Sequence, residues 1–186
     1  MRRVAAFIDF QGTLGGDGID DILSLEFYPF SIEAIKLLND HGILAIGITN
    51  QSHISKGELT MDDYLLKLRQ LKNELKMHGA HFDAVYCCPH TEQDHCACKK
   101  PLTGMVDWAS NDFPIDIGRS YVIGDMGMTD MILANRIKAK GILVLTGVGQ
   151  GSLHEFRHTW EGVEASFVAE NVLEAAKWLL DDCNEK

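Results

Sequence analysis

The chain has 186 residues, of which 46% are hydrophobic and 24% charged, as is typical of one globular domain of ordinary size. A formal net charge of −10 argues against a nucleic-acid partner, although a few focused cations could still bind a small anionic ligand. No apolar run approaches the roughly 18 residues that a membrane span requires. The apolar run near the N-terminus ends at Asp9 without a signal-peptide cleavage site. The sequence therefore predicts a cytoplasmic protein that does not associate with membranes.

Short apolar runs alternate with amphipathic segments along the whole chain. The apolar runs predict six buried strands, at residues 4–9, 44–49, 84–88, 121–124, 142–145 and 166–168. The amphipathic segments predict five helices, at residues 31–39, 61–78, 104–111, 129–138 and 171–182. In the second of these, a core-facing stripe is expected at Leu65, Leu68, Leu71 and Leu75. The alternation predicts an α/β fold, in which an open parallel sheet of Rossmann type is covered by helices on both faces, as a single domain over residues 1–186.

Polar side chains follow several of the predicted strands, at the edge where ligands gather in sheets of this kind. Asp9 ends the first strand, residues 49–52 (TNQS) end the second, and Asp125 and Asp130 follow the fourth. Lys100 comes after a cysteine-rich segment. Phosphoryl transfer from a monoester needs a carboxylate nucleophile, a cation that binds the phosphate, and acids that hold Mg²⁺. These residues could supply all three.

Four of the five cysteines lie within twelve residues, interleaved with two histidines. In a reducing compartment such a cluster is expected to hold a metal ion and not to form disulfides. The pattern leaves two choices open, between Cys87 and Cys88 and between His90 and His95. The Cys-x-His spacing favours His90, and alternation along a strand would point Cys87 into the core, away from Cys88.

Together these residues resemble the four motifs of the haloacid dehalogenase (HAD) superfamily of phosphotransferases. The matching segments are DFQGT at residues 9–13, Thr49 in ITNQS, Lys100, and GDMGMTD with its two aspartates. The resemblance implies a nucleophilic Asp9, with Thr49 and Lys100 binding the phosphoryl oxygens. It also implies a Mg²⁺ ion held by Asp9, Asp125 and the backbone carbonyl of Gln11, with support from Asp130.

A further resemblance narrows the family. The segment CCPHTEQDHCACKKP resembles the zinc loop of the HAD subfamily that contains D-glycero-D-manno-heptose 1,7-bisphosphate phosphatase and the histidinol-phosphatase domain. It implies a Zn²⁺ ion in a loop at about residues 88–100, with the ligands Cys88, His90, Cys96 and Cys98. Three thiolates and one imidazole complete a tetrahedral, structural zinc site.

The segment TNQSHISKG also resembles that subfamily and extends the expected substrate site. The residues expected to contact substrate are Asn50, Gln51, Ser52, Lys56 and Lys99. The fold is expected to be capless, so the site should be open and bounded by the zinc loop and by residues 15–21 and 52–56. Three histidines without an assigned partner, at positions 53, 154 and 158, are expected on the solvated surface.

Gln11 departs from the family pattern, which has an aspartate there. That aspartate protonates the leaving oxygen and then activates water, and glutamine can do neither. General acid and base help is typically worth roughly a hundredfold to ten-thousandfold. The sequence therefore predicts a Mg²⁺-dependent phosphatase of a small phosphorylated metabolite, of the sugar-phosphate or histidinol-phosphate type, that is slow on poor leaving groups. The alternative is a phosphate-binding or regulatory protein in which catalysis is impaired.

Overall fold

The computed structural model describes residues 2–17 and 21–184. All six of its strands are parallel and belong to one sheet, in the order β3-β2-β1-β4-β5-β6. The strands are β1 Ala5–Ile8, β2 Leu44–Asn50, β3 Ala84–Cys88, β4 Tyr121–Gly124, β5 Lys140–Val144 and β6 Phe167–Ala169. The strand order reverses direction between β1 and β4, which opens a crevice at the carboxyl ends of these strands. The predicted α/β fold class is confirmed.

Among the described residues, six α-helices connect or follow the strands, namely α1 Ser31–Asp40, α2 Met61–Met77, α3 Gly104–Asp112, α4 Ile132–Ile137, α5 Gly149–Leu153 and α6 Val172–Asn184. The sequence did not predict α5, because its residues GQGSL carry no helical apolar period. The helix expected at 129–138 begins instead with a π-helical segment, Gly127–Met131, and α4 covers only its second half. Within the described part of the chain, no helix combines the length and apolar character needed to cross a membrane.

The sheet is buried on both faces. Ala6 and Ile8 of β1 face a core that includes residues of α1, α2 and α6, whereas Ala5 and Phe7 face a second core formed with α3 and α4. This arrangement explains why β1, in the middle of the sheet, is apolar at every position. The single domain expected over residues 1–186 stays a prediction, supported by the fact that every described strand belongs to this one sheet.

The apolar stripe of α2 differs from the expected one at a single position. Tyr64, Leu68, Leu71 and Leu75 are buried, whereas Leu65 is 47% exposed. The prediction was wrong at Leu65 because each residue turns the helix by about 100°, which places position 64 above 68, 71 and 75 and moves position 65 off that face.

Candidate active site and cysteine cluster

Lys100 is the centre of a buried charge cluster at the carboxyl edge of the sheet. Its Nζ donates hydrogen bonds to Asp9 Oδ1 at 2.6 Å and to Asp130 Oδ1 at 2.8 Å. Its backbone is held by the side chain of Asn50, which accepts from the Lys100 N–H at 2.9 Å and donates to the Lys100 carbonyl at 3.1 Å. The ammonium group is therefore held by Asp9, which follows β1, and by Asp130, in the π-helical segment after β4, both distant from it in sequence.

The cluster contains more negative than positive charge. Carboxylate oxygens of Asp9, Asp125 and Asp130 lie within 4.8 Å of one another, beside the one ammonium of Lys100. Burial raises the pKa of Asp9 to about 6, with Lys100 opposing the rise and Asp130 adding to it. Burial, together with Asp9 and Asp130, also raises the pKa of Asp125 well above its usual range. A divalent cation would relieve this repulsion, and a set of carboxylate oxygens fits Mg²⁺.

Burial acts differently on Lys100. It favours the neutral amine, but the carboxylates of Asp130 and Asp9 outweigh it and raise the pKa of Lys100 above its usual value. The lysine therefore carries its charge at neutral pH, as a phosphate-binding group must.

The backbone of two loops packs closely against the carboxylate of Asp125 and holds it in place. Its Oδ2 accepts a hydrogen bond from the Val148 N–H at 2.8 Å, and its Oδ1 lies 3.5 Å from Thr13 Oγ1. Gly12 (φ 77°) and Gly147 (φ 54°) pack on the same carboxylate. A Cβ on Gly12 would lie 2.0 Å from Asp125 Oδ2, and one on Gly147 would lie 2.3 Å from it. Both positions therefore require glycine, for the space as well as for the positive φ.

The side chain of Gln11 is held by two neighbours from the end of β2. Its Oε1 accepts a hydrogen bond from Gln51 Nε2 at 3.0 Å and lies 3.3 Å from the Thr49 hydroxyl, which donates to it. Gln51 Nε2 also donates to Thr49 Oγ1 at 2.7 Å. Thr49 and Gln51 are both fully buried. These two predicted site residues therefore hydrogen-bond to the side chain of Gln11 and are buried beneath the protein surface.

Two further predicted site residues join the loop after β2 to the cysteine-rich loop. Ser52 Oγ donates to the His90 carbonyl at 3.0 Å and accepts a hydrogen bond from Lys99 Nζ. Lys99 Nζ also lies 3.4 Å from the His90 carbonyl. Lys56 is exposed at the rim of the site. Lys99 therefore connects the two loops, whereas Lys56 is exposed and lines the cleft.

A cleft of about 230 Å³ opens above the charge cluster. The described residues that line it are Asp9, Gln11, Asn50, Ser52, His53, Lys56, Lys100, Asp125, Met126 and Thr129. His53, expected on the solvated surface, has 34% of its side chain exposed and lines this cleft, and its Nδ1 lies 2.7 Å from Glu58 Oε2. Its position inside the segment TNQSHISKG was a signal that could have identified it. The loop expected to border the site at 15–21 includes residues 18–20, which lie outside the described residues.

The cysteine cluster brings four ligand atoms together. Cys88 Sγ lies 3.1 Å from Cys98 Sγ and 3.6 Å from Cys96 Sγ, and His90 Nδ1 lies 3.3 Å from Cys98 Sγ and 3.6 Å from Cys88 Sγ. All four atoms lie within 4.8 Å of one another. Tetrahedral zinc with Zn–S bonds of about 2.3 Å separates its sulfur ligands by roughly 3.8 Å. Three sulfurs and one imidazole at these separations fit a Zn²⁺ ion.

The structure also distinguishes Cys88 from Cys87, and His90 from His95, as members of the cluster. Cys88 belongs to the cluster, whereas the adjacent Cys87 packs against the core on the other face of the sheet. His90, not His95, contributes a ring nitrogen. Burial opposes ionisation of Cys96, but hydrogen bonds from the backbone N–H groups of Lys99 and Cys98 outweigh it and lower the pKa of Cys96 to about 7. Burial instead raises the pKa values of Cys88 and Cys98, so these two thiols would ionise only with the metal bound.

Comparisons with known proteins agree with this geometry. A family model described as HAD-hydrolase-like matches residues 97–175. The chain is 34% identical over 134 residues to a probable D-glycero-D-manno-heptose-1,7-bisphosphate 7-phosphatase of Thermoplasma volcanium, covering 71% of this chain and 92% of the relative. It is 34% identical over 154 residues to the D-glycero-beta-D-manno-heptose-1,7-bisphosphate 7-phosphatase of Pasteurella multocida, covering 78% of this chain and 83% of that one.

A solved structure extends the likeness to the whole fold. The D,D-heptose 1,7-bisphosphate phosphatase of B. bronchiseptica, crystallised with magnesium and phosphate, superposes with a TM-score of 0.85 at 26% identity, covering 98% of this chain and 99% of that one. The relatives at 34% identity cover more than two thirds of this chain and of their own lengths. The chain therefore belongs to the haloacid dehalogenase superfamily of hydrolases, among its phosphatases related to the heptose-bisphosphate enzymes.

Proposed function

We propose that the chain is a Mg²⁺-dependent phosphatase that hydrolyses a small phosphorylated metabolite through an aspartyl-phosphate on Asp9. The observation that carries the proposal is the bridge from Lys100 Nζ to Asp9 and Asp130, with Asp125 beside it at the carboxyl edge of the sheet. The similarity to heptose-bisphosphate phosphatases supports a sugar phosphate as the substrate class, and the similarity to the bifunctional histidine biosynthesis protein HisB supports a histidinol-phosphate type.

In this mechanism an Asp9 carboxylate oxygen attacks phosphorus while the ester P–O bond breaks, and water then hydrolyses the aspartyl-phosphate. Lys100 holds the Asp9 carboxylate in place and stabilises the negative charge on the phosphoryl oxygens. Asp130 accepts a second hydrogen bond from Lys100 Nζ and so fixes the position of the ammonium group. Thr49 is also assigned to a phosphoryl oxygen. To bind it, the Thr49 hydroxyl would break the hydrogen bond that it donates to Gln11 and donate to the phosphoryl oxygen instead.

Asp9, Asp125 and the backbone carbonyl of Gln11 would hold Mg²⁺, with Asp130 in support. When bound, the ion supplies positive charge that stabilises the phosphoryl group during transfer. The assignment is supported by the three clustered carboxylates and by the raised pKa values of Asp9 and Asp125. A glutamine at position 11 does not disturb it, because only the backbone of that residue is needed.

We further assign a structural Zn²⁺ ion to Cys88, His90, Cys96 and Cys98. Such a site has no open position for substrate, so its role is to order the loop. Structural zinc can contribute on the order of 10 kcal/mol of coupled folding free energy. Because Cys98 lies two residues before Lys100, the ion would fix the segment that carries the phosphate-binding lysine.

A second candidate function is a phosphate-binding or regulatory protein with impaired catalysis. Gln11 favours it, because an amide held by Thr49 and Gln51 cannot exchange a proton with the leaving oxygen. In that case the same site would bind phosphate without releasing it from an ester. The cytoplasmic location expected from the sequence stays a prediction.

Phosphate release from a panel of sugar phosphates, histidinol phosphate and p-nitrophenyl phosphate tests the proposal. We expect release by the parent protein that requires Mg²⁺ and is lost in Asp9→Asn, which keeps the shape and removes the nucleophile. Asp40→Asn, which alters an exposed carboxylate paired with Lys36 outside the cleft, should keep the parent rate. An Asp9→Asn variant as active as its parent would contradict the mechanism. Phosphate binding without release by the parent would favour the second candidate.

A further inference from the structure

His53 is held at the catalytic cleft by a closed turn. The backbone N–H groups of Glu58 and Leu59 donate to the His53 carbonyl at 2.9 and 3.1 Å, which folds the loop after β2 back on itself. The imidazole lines the same cleft as Asp9, with 34% of its side chain exposed. It is therefore open to a ligand in the cleft and yet anchored by its own backbone.

The carboxylate of Glu58 gives this imidazole a defined orientation. Glu58 Oε2 lies 2.7 Å from His53 Nδ1, so Nδ1 carries the proton of the pair. The other nitrogen, Nε2, is then the one that can exchange a proton with a ligand. An imidazole oriented by a carboxylate is the arrangement that general acid and base catalysis uses in many unrelated enzymes.

The other titratable residues that line the cleft are unsuited to this task. Asp9 is the nucleophile, Lys100 is bonded to two carboxylates, and Asp125 is bonded to a backbone N–H and assigned to the metal. Lys56 is an ammonium group that can donate a proton but has no lone pair with which to take one from water. Among the described residues that line the cleft, the imidazole of His53 alone combines a donor and an acceptor nitrogen and is not already assigned to another step.

We propose that His53, oriented by Glu58, is the general acid and base that Gln11 cannot be. The inference rests on the phosphatase function proposed above. In the first step an Asp9 oxygen forms a bond to phosphorus, the ester P–O bond breaks, and the leaving oxygen takes a proton from the His53 imidazolium, so that an alcohol departs. In the second step neutral His53 takes a proton from water as the water oxygen bonds to phosphorus and the Asp9–phosphate bond breaks. Phosphate leaves, and Asp9 and protonated His53 are restored.

One side chain can serve both steps because the two displacements are in line. The leaving oxygen departs, and the attacking water arrives, on the face of phosphorus opposite Asp9. A group that reaches that face can act on both oxygens. The same geometry explains why the acid and base need not come from position 11.

The experiment compares an alkyl ester, such as glycerol phosphate, with p-nitrophenyl phosphate, whose leaving group departs without a proton. The full-length variants are His53→Gln, Glu58→Gln, Gln11→Asp and His53→Gln combined with Gln11→Asp. The matched control is His81→Gln, since His81 also lies near a carboxylate, 3.9 Å from Asp83, but outside the cleft. Each variant is measured for kcat and KM on both esters and for phosphoenzyme that accumulates after rapid mixing.

We expect His53→Gln to lower kcat on the alkyl ester roughly a hundredfold, the usual worth of a general acid. On the aryl ester, phosphoenzyme should accumulate, because its formation needs no acid while its hydrolysis has lost its base. Glu58→Gln should also lower kcat on the alkyl ester and cause phosphoenzyme to accumulate on the aryl ester, each by a smaller factor than His53→Gln. Gln11→Asp should restore the alkyl rate roughly a hundredfold in the His53→Gln background and raise it much less in the parent.

Two results would overturn the inference while leaving the phosphatase function in place. One is equal loss on both esters without accumulated phosphoenzyme, and the other is a His53→Gln variant as fast as His81→Gln on the alkyl ester. A parent protein that releases no phosphate from either ester and forms no phosphoenzyme on Asp9 would overturn the phosphatase function, and this inference with it.

Discussion

The side-chain amide of Asn50 pairs with both backbone hydrogen-bonding groups of Lys100, accepting from the N–H at 2.9 Å and donating to the carbonyl at 3.1 Å. Asn50 is the last residue of β2, whereas Lys100 follows the cysteine cluster. The pair therefore fixes the lysine-bearing loop to the edge of the sheet. Asn50, predicted from the sequence as a substrate contact, acts in the structure on the position of Lys100.

We expect Asn50→Ala to lower kcat roughly tenfold to a hundredfold, because a displacement of Lys100 by about 1 Å would weaken its contact with the phosphoryl group. Asn50→Asp keeps the acceptor for the Lys100 N–H but loses the donor, so its kcat should fall less than that of Asn50→Ala if position alone matters. Steady-state kinetics checks both, with the exposed Asn73→Ala as control. A rise in KM with unchanged kcat would instead assign Asn50 to substrate binding.

Two glycines with nearly the same positive φ distinguish the effect of backbone strain from that of a steric clash. Gly12 has φ 77° and Gly16 has φ 71°, so alanine at either position costs roughly 1–2 kcal/mol of unfolding free energy. Only at Gly12 would the new Cβ meet Asp125. Gly16→Ala should lower the melting temperature and still respond to Mg²⁺, whereas Gly12→Ala should also lose stabilisation by Mg²⁺. Thermal unfolding with and without Mg²⁺ checks this, and equal Mg²⁺ responses would contradict it.

Mg²⁺ binding should depend on pH through the raised pKa values of Asp9 and Asp125. Asp9 ionises near pH 3.8 in the unfolded chain and near 6 in the metal-free fold. Its contribution to the free energy of unfolding is therefore highest below about pH 4 and falls as the pH rises through 6. Mg²⁺ needs the ionised carboxylates, so it should raise the melting temperature more at about pH 7.5 than at about pH 5. Asp9→Asn should reduce this difference, and equal shifts at both pH values would contradict the assignment.

Protein purified without chelator should contain close to one zinc per chain. Cys88→Ser and Cys96→Ser should each lower the zinc content and the melting temperature, because each removes a ligand of the proposed tetrahedral site. Cys183→Ser is the matched control, since Cys183 lies beside the Tyr121 hydroxyl and outside the cluster. Elemental analysis and thermal unfolding give the two measurements. Unchanged zinc content in both ligand variants would exclude the assignment.

The sequence by itself determined the six strands, five of the six α-helices, the parallel sheet and the residues that end its strands. These features follow from local patterns, because the apolar period and the position of a polar residue after an apolar run are properties of a short segment. For the same reason, the sequence was enough to predict that Asp9, Lys100, Asp125 and Asp130 meet at one edge, since parallel strands bring their carboxyl ends together.

Only the tertiary structure decided how the side chains at that edge divide their tasks. The place of His53 in the cleft and the burial of Thr49 and Gln51 beneath Gln11 depend on contacts between different loops and strands. The need for glycine at position 12 arises from Asp125, more than a hundred residues along the chain. A local pattern specifies which way a segment folds, whereas the partner of each side chain is set by which segments the completed sheet brings into contact.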